Sequence, residues 1–509
     1  MRWMAIIMAV GLMAGLAGCD QKPAAPTELA AVGVEIAWRE GDVDDALAEA
    51  KESHKPVLLY WGAKWCPPCN QLKTTLFKDR AFIAQTQKFV PVYLDGDTQG
   101  AQQWGERFGI SGYPTIIVLR ADGSEITRLS TAAKLAEVLK VAAGRTTSIE
   151  ALFETAEKTP EALSKDDWDL LAAFDWQNDP KHFGDRARTA ALLERLAGAA
   201  PKGPLQRRFA LLALAVATQK GADGTYALSA QQQARIEAVV PAILKTPREV
   251  VANRRELSGS IAALVAALPD APSRGKIGAA LIKALDRVYG DKSLPISDRL
   301  DTTYADIALD KAGEEAVSQP VLEKVRARAA WADETAKDAM VRQSVISTAA
   351  DLLHEAGDAA GAKRLLEAEL KRSASPYYYM LDLASLAEDA KDSPAAIGWA
   401  RQAYETSHGS ATRVQWAIEY SKTVLRQAPD DKAAVEASAQ AVIDELGQNS
   451  GSYYQRTRVK VGAWGGLLRD WSQAHDGGAV LARLDKRMAG VCEKQGEAAQ
   501  TCRKWGQAG

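Results

Sequence analysis

Histidine is scarce in this chain, five in 509 residues, and His54, His182, His354, His408 and His475 form no ligand-spaced cluster. Structural zinc takes four closely spaced donors, so no metal site is expected. No sign of charge prevails. The 63 Lys and Arg meet 65 Asp and Glu, and a net charge of -2 offers nucleic acid no attracting field. The chain carries no flavin or nicotinamide fingerprint, so no diffusible cofactor is expected. Beyond the N-terminus no stretch reaches the ~18 uninterrupted apolar residues of a membrane span.

What is present begins with a chain too long for one core, since domains run to about 100–200 residues. Met1-Arg2-Trp3-Met4 opens a short apolar run from Ala5 to Ala17, the pattern of an export signal. Leu16-Ala17-Gly18-Cys19 resembles the lipobox of bacterial lipoproteins, which implies cleavage before Cys19 and a lipid on that residue. An ordinary cleaved signal followed by a cysteine is the other reading. Asp20 resembles an inner-membrane retention signal of enteric bacteria. The expectation is a signal peptide over 1–18, a polar tether over 19–31, and a periplasmic protein lipid-anchored to the inner or outer membrane of a Gram-negative bacterium.

Residues 32–145 alternate strand and helix patterns. Val34 to Trp38 reads as a strand and Asp42 to Ser53 as an amphipathic helix with apolar Val43, Ala46, Leu47 and Ala50. Pro56 to Trp61 is a buried strand. After a loop, helix resumes at Pro67, a residue tolerated in a first turn because its missing N–H is unpaired there anyway. Phe89 to Leu94 is a strand, Gln99 to Phe108 a helix, Thr115 to Leu119 a strand. Ala121-Asp122-Gly123-Ser124 turns into an edge strand over Glu125 to Leu129, and a last helix starts at Thr131.

Past Gly144 helical spacing takes over, in a region over 146–330 and another over 331–509. In the second, Gly357-Asp358-Ala359-Ala360-Gly361-Ala362 answers to Asp392-Ser393-Pro394-Ala395-Ala396, and Ala362 to Ala396 spans 34 residues, the tetratricopeptide period. An irregular helical array is the competing reading. Tyr377-Tyr378-Tyr379, Tyr453-Tyr454, Trp399, Trp416, Trp464 and Trp471 are expected in the core, or else on a concave partner-binding surface.

The chemistry lies in Trp65-Cys66-Pro67-Pro68-Cys69, which follows a buried strand and opens a helix. A cysteine at a helix N-terminus meets free N–H groups and the positive end of the macrodipole, which favour the thiolate that attacks a disulfide. One turn on, Cys69 is placed to resolve the mixed disulfide.

With Lys55-Pro56-Val57-Leu58-Leu59 before that motif and Gly112-Tyr113-Pro114-Thr115 and Asp122-Gly123 after it, the segment resembles the thioredoxin superfamily, particularly the thioredoxin-like domains of thiol:disulfide interchange proteins. The resemblance implies an α/β thioredoxin fold followed by the all-α, tetratricopeptide-like array. It implies Cys66 and Cys69 as catalytic residues, and Trp65, Pro67, Pro68, Tyr113 and Pro114 as substrate-binding and supporting residues. Pro114 corresponds to the family's cis-proline, which leaves the Tyr113 backbone free to pair with an extended client segment.

Two departures stand out. The family carries a buried acid six residues before the first cysteine, where this chain has Tyr60, so the proton acceptor for Cys69 is unassigned. Pro68 occupies the position at which strong oxidants place a histidine, so a reductant or mid-potential exchanger is expected. Lys64 could steady a thiolate or stand solvated. Cys492 and Cys502 are expected as a structural disulfide clipping the last helices, with a second redox pair as the sharper reading. The expected partners are client proteins with disulfides or thiols, an upstream protein dithiol as electron donor, and the membrane through the lipid. Two rival readings are a helical scaffold with the thioredoxin domain as docking module, and a redox assembly factor for cytochrome or copper sites.

Overall fold

The computed structural model describes residues 35–506, apart from 41, 130–134, 177–178, 219, 222–225, 313, 315 and 449. Cys19, the signal peptide and the tether lie outside the described residues. A five-stranded sheet forms first, in the order β1-β3-β2-β4-β5, from Arg39–Glu40, Val57–Gly62, Val90–Asp95, Thr115–Leu119 and Glu125–Leu129. β2 runs parallel to β3 and antiparallel to β4, with Tyr60 opposite Tyr93 and Ile116. Helices α1 (Val43–Ser53), α2 (Pro67–Thr74), α3 (Arg80–Thr86), α4 (Gln99–Phe108) and α5 (Leu135–Ala142) cover it.

Local chemistry explains most of these boundaries. Asp42 caps α1 by accepting from the Asp44 N–H, and Thr98 caps α4 by accepting from the Ala101 N–H. Gly109, at φ 65°, ends α4 in the left-handed conformation that costs glycine least. The first strand departs from expectation. Ladder pairing is confined to Arg39–Glu40, while Ile36 and Trp38 alternate because they pack inward, Trp38 against Tyr60 and Phe77. The helix from Pro67 is also interrupted by a turn at Leu76–Lys78. Asp79 then caps α3, accepting from the Phe82 N–H at 2.8 Å.

Beyond β5 the described residues form helices and no further strand, apart from one isolated bridge between Lys220 and Tyr226. The expected break at Ala200–Pro204 separates the helices Arg186–Ala199 and Pro204–Ala217. Asp358 and Asp392, 34 residues apart, cap successive helices in the same way, accepting from the Gly361 and Ala395 N–H groups. Ala362, Ala396 and Ala403 are fully buried where those helices meet their neighbours. Tyr377, Tyr379, Tyr453, Trp416, Trp464 and Trp471 are core residues, whereas Trp399 and Tyr378 are part-exposed.

The helical half grips the sheet domain on two sides. On one side a single hydrophobic core runs from Leu58, Phe82 and Ile116 through Leu152 and Trp168 to Phe209 and Leu212. There β5 is covered, and buried Arg128 bonds Glu125 at 2.9 Å and faces Asp179 of the helical half at 3.6 Å. Covering an edge strand removes its exposed ladder groups. On the other side, helices from the far end of the chain return to the tip of α2 and to α4.

Candidate functional site

α2 begins at the cysteine motif. Cys66 is its N-cap, with extended backbone, and its sulfur accepts the Cys69 N–H at 3.3 Å. The two cysteines are bonded to each other, with Cα atoms 5.2 Å apart. Pro67 and Pro68 form the first turn, where neither missing N–H costs a helical hydrogen bond. Tyr113 and Pro114, joined by a cis peptide bond, lie beside the pair. The Tyr113 ring packs on Gly96 so closely that a β-carbon there would overlap it, and its hydroxyl donates to the Gly96 carbonyl at 3.2 Å and accepts from Gln102 at 3.0 Å. Its backbone N–H and C=O take no partner among the described residues.

Trp65, Cys66, Pro67, Pro68, Cys69, Tyr113 and Pro114 therefore converge. Lys64 is exposed. Cys492 and Cys502 are bonded and buried in a separate core with Trp464 and Trp505. Tyr60, on β2 in the core that holds Leu72 of α2, is 1% exposed, its hydroxyl has no hydrogen-bond partner, and burial drives its pKa far above the usual phenol value. Burial thus disfavours its ionised form and leaves the proton acceptor for Cys69 unassigned.

Several residues at this site lie outside the sequence motifs, most of them in the helical half. Gln343 donates to the Trp65 carbonyl at 2.9 Å and accepts from the Asn70 side chain at 2.7 Å. Asp97, in the loop after β3, accepts from the Trp65 indole at 3.0 Å. Its other carboxylate oxygen accepts from the Thr412 N–H at 3.0 Å and from the Thr412 hydroxyl, and Ser410 donates to its carbonyl at 2.8 Å. Gly409, at φ 90°, leaves this approach open, since a β-carbon there would fall 2.5 Å from Asp97. Burial raises the Asp97 pKa, and the bonds from Thr412 and Trp65 oppose that rise.

Arg456 completes the ring of contacts, its guanidinium 4.8 Å from the Tyr113 ring centroid and 5.7 Å from that of Trp65. Burial lowers its pKa, with Tyr113 and Asp97 opposing. Sequence spacing carries no signal for Gln343, Thr412 and Arg456, because each lies more than 270 residues from the residue it touches, and Asp97 stands 32 residues from Trp65 with no motif to mark it. The outcome is a disulfide-bonded cysteine pair at a helix N-terminus with Cys66 2% and Cys69 0% exposed.

A family model described as a thioredoxin-like domain matches residues 43–143. The thiol:disulfide interchange protein DsbD 1 of Pseudomonas aeruginosa is 34% identical over 110 residues, which make up 20% of this chain and 19% of that protein. The thiol:disulfide interchange protein DsbD of Vibrio vulnificus is 32% identical over 88 residues, 17% of this chain and 15% of that protein. The chain thus spans less than a fifth of the length of these two relatives. A thioredoxin H-type protein of Oryza sativa is 31% identical over 104 residues, 20% of this chain and 80% of that protein.

Proposed function

The chain belongs to the thioredoxin family through its N-terminal domain, and on that premise we propose that it is an envelope-located protein-disulfide oxidoreductase. One observation carries this reading: Cys66 caps α2 with Cys69 one turn away and cis-Pro114 beside them. In the reduced form the Cys66 thiolate attacks a client disulfide, forming a mixed disulfide and expelling one client thiolate. The Cys69 thiolate then attacks the Cys66 sulfur, releasing the second client thiolate and closing the Cys66–Cys69 bond. Two electrons pass to the client, and the two thiol protons follow. Another protein dithiol restores the reduced pair by the reverse exchange.

Location rests on the lipobox at Cys19 and on the interchange proteins among the relatives. No helix among the described residues is long and apolar enough to cross a membrane. The attachment proposed is a lipid on Cys19, and the lipobox-like Leu16-Ala17-Gly18-Cys19 is its support. The scaffold reading has one observation in its favour, the covered state of Cys66. Intact cellular function after Cys66→Ser would favour it. The direct test of exchange is a Cys69→Ala variant in its native host, which should accumulate mixed disulfides that disappear when Cys66→Ser is added. Failure to trap any client under oxidising growth would sink the oxidoreductase reading.

A further inference from the structure

A client approaching this dithiol meets the helical half first. Trp65, which precedes Cys66, is held at its carbonyl by Gln343, at its indole by Asp97 and hence Thr412, and across its ring by Arg456. Where the first turn of α2 meets Pro114, a cleft of about 260 Å³ stays open between the two halves. Pro67, Pro68 and Pro114 form one wall, and Arg255, Asp301 and Tyr378 stand on the other. That volume falls just below the about 300–1,000 Å³ of pockets that enclose a drug-sized molecule. A folded protein surface docks through roughly 800 Å² per partner, which the opening cannot present unless the helical half lifts away.

We propose, resting on the oxidoreductase reading above, that the helical half restricts this dithiol to extended cysteine-containing segments and excludes disulfides on folded surfaces. The segment comes either as a free small peptide or as a stretch of unfolded chain. Its backbone pairs with the open N–H and C=O of Tyr113, the residue before Pro114, in the manner of an added strand. The far wall is polar, with the paired Arg254 and Asp298 beside Arg255 and Asp301. Arg255 is exposed, and the Asp301 carboxyl takes no hydrogen bond from a described residue. These suit a polar or zwitterionic segment better than an apolar one.

The test is single-turnover exchange by the pre-reduced full-length protein with three probes, namely oxidised glutathione, two unstructured peptides joined by one disulfide, and folded insulin. Each rate is normalised to that of the same probe with dithiothreitol. One or both of the first two should exceed insulin by about tenfold or more, a ratio within reach of steric discrimination at one site. Which of them does so identifies the source of the segment. Loosening the cover with Gln343→Ala and Thr412→Val should raise the relative insulin rate about fivefold, whereas the comparison of probes needs only the native protein. Equal normalised rates for all three overturn the restriction and leave the oxidoreductase reading intact. No exchange with any probe overturns both.

Discussion

Gln343 donates to the backbone carbonyl of Trp65 at 2.9 Å, and the same amide accepts from Asn70 at 2.7 Å, so one side chain satisfies two polar groups next to Cys66. Removing it strands both. Gln343→Ala should cost about 2 kcal/mol, the penalty of buried groups left unmade, as read by denaturant unfolding. A double-mutant cycle with Asn70→Ala should return a coupling of about 0.5–3 kcal/mol, and additive effects would remove the bond from the account.

Arg342, the neighbour of Gln343 on the helix Ala339–Gln343, is buried and bonds Glu369 at 2.6 Å, with its other nitrogen on the Ala336 carbonyl at 2.9 Å. Arg342→Met leaves the buried Glu369 carboxylate with only the exposed Arg372 at 3.9 Å in place of its close hydrogen-bonded partner. The expected loss is about 3–5 kcal/mol, and adding Glu369→Leu should recover most of it. A single-variant loss below about 1 kcal/mol would mean the pair is not buried in solution.

Tyr60 fills the place of the family's buried acid with a hydroxyl that has no hydrogen-bond partner. Tyr60→Phe should be neutral or stabilising by up to about 1 kcal/mol, since it removes an unmet polar group. The pH profile of exchange should stay where it was. A displaced profile would restore a proton-handling role to the phenol.

Asp301 is pushed up to about 7 by burial and by neighbouring Asp298. Its folded pKa exceeds the unfolded value of about 3.9, so the folded state binds the proton more tightly. This stabilising contribution is full below about pH 4 and is lost as pH rises to about 7. Asp301→Asn should therefore flatten the decline in stability between those limits, measured as unfolding free energy at pH 5 and pH 8. An unchanged slope would contradict the assignment.

Around Trp65 the charges of Arg456 and Asp97 oppose one another, and Pro68 adds no cation. The reduction potential should accordingly be lower than the about -120 mV of the strongest oxidants. Asp97→Asn keeps the indole bond at the expense of the one from the Thr412 N–H and removes the anion, which favours the Cys66 thiolate and the reduced state. The potential should rise by on the order of 30 mV, equal to about 1.4 kcal/mol for two electrons. A fall would show that Asp97 acts through geometry alone.

Much of the sheet domain was legible because its signals are local. The hydrophobic runs at Val57–Gly62 and Thr115–Leu119, the cap residues and the Asp122-Gly123 turn each act within a few residues. α3 escaped notice because its seven residues follow α2 after only a short turn, and its cap at Asp79 is a single aspartate among many polar residues. The cover of the dithiol was illegible for a different reason. Gln343, Thr412 and Arg456 are ordinary residues of helical segments, and their importance arises only when the chain folds back. Even Gly409 reads as a common helix-start glycine until Asp97 is seen against it.

The order in which these parts emerge from synthesis has a temporal consequence. The core that supports the dithiol is complete once the helices up to Val216 have formed, whereas Gln343, Thr412 and Arg456 come later. In an exported chain the same order holds at translocation, so the core around the dithiol crosses the membrane before the residues that cover it. Until Gln343, Thr412 and Arg456 have followed, the dithiol stands without its cover.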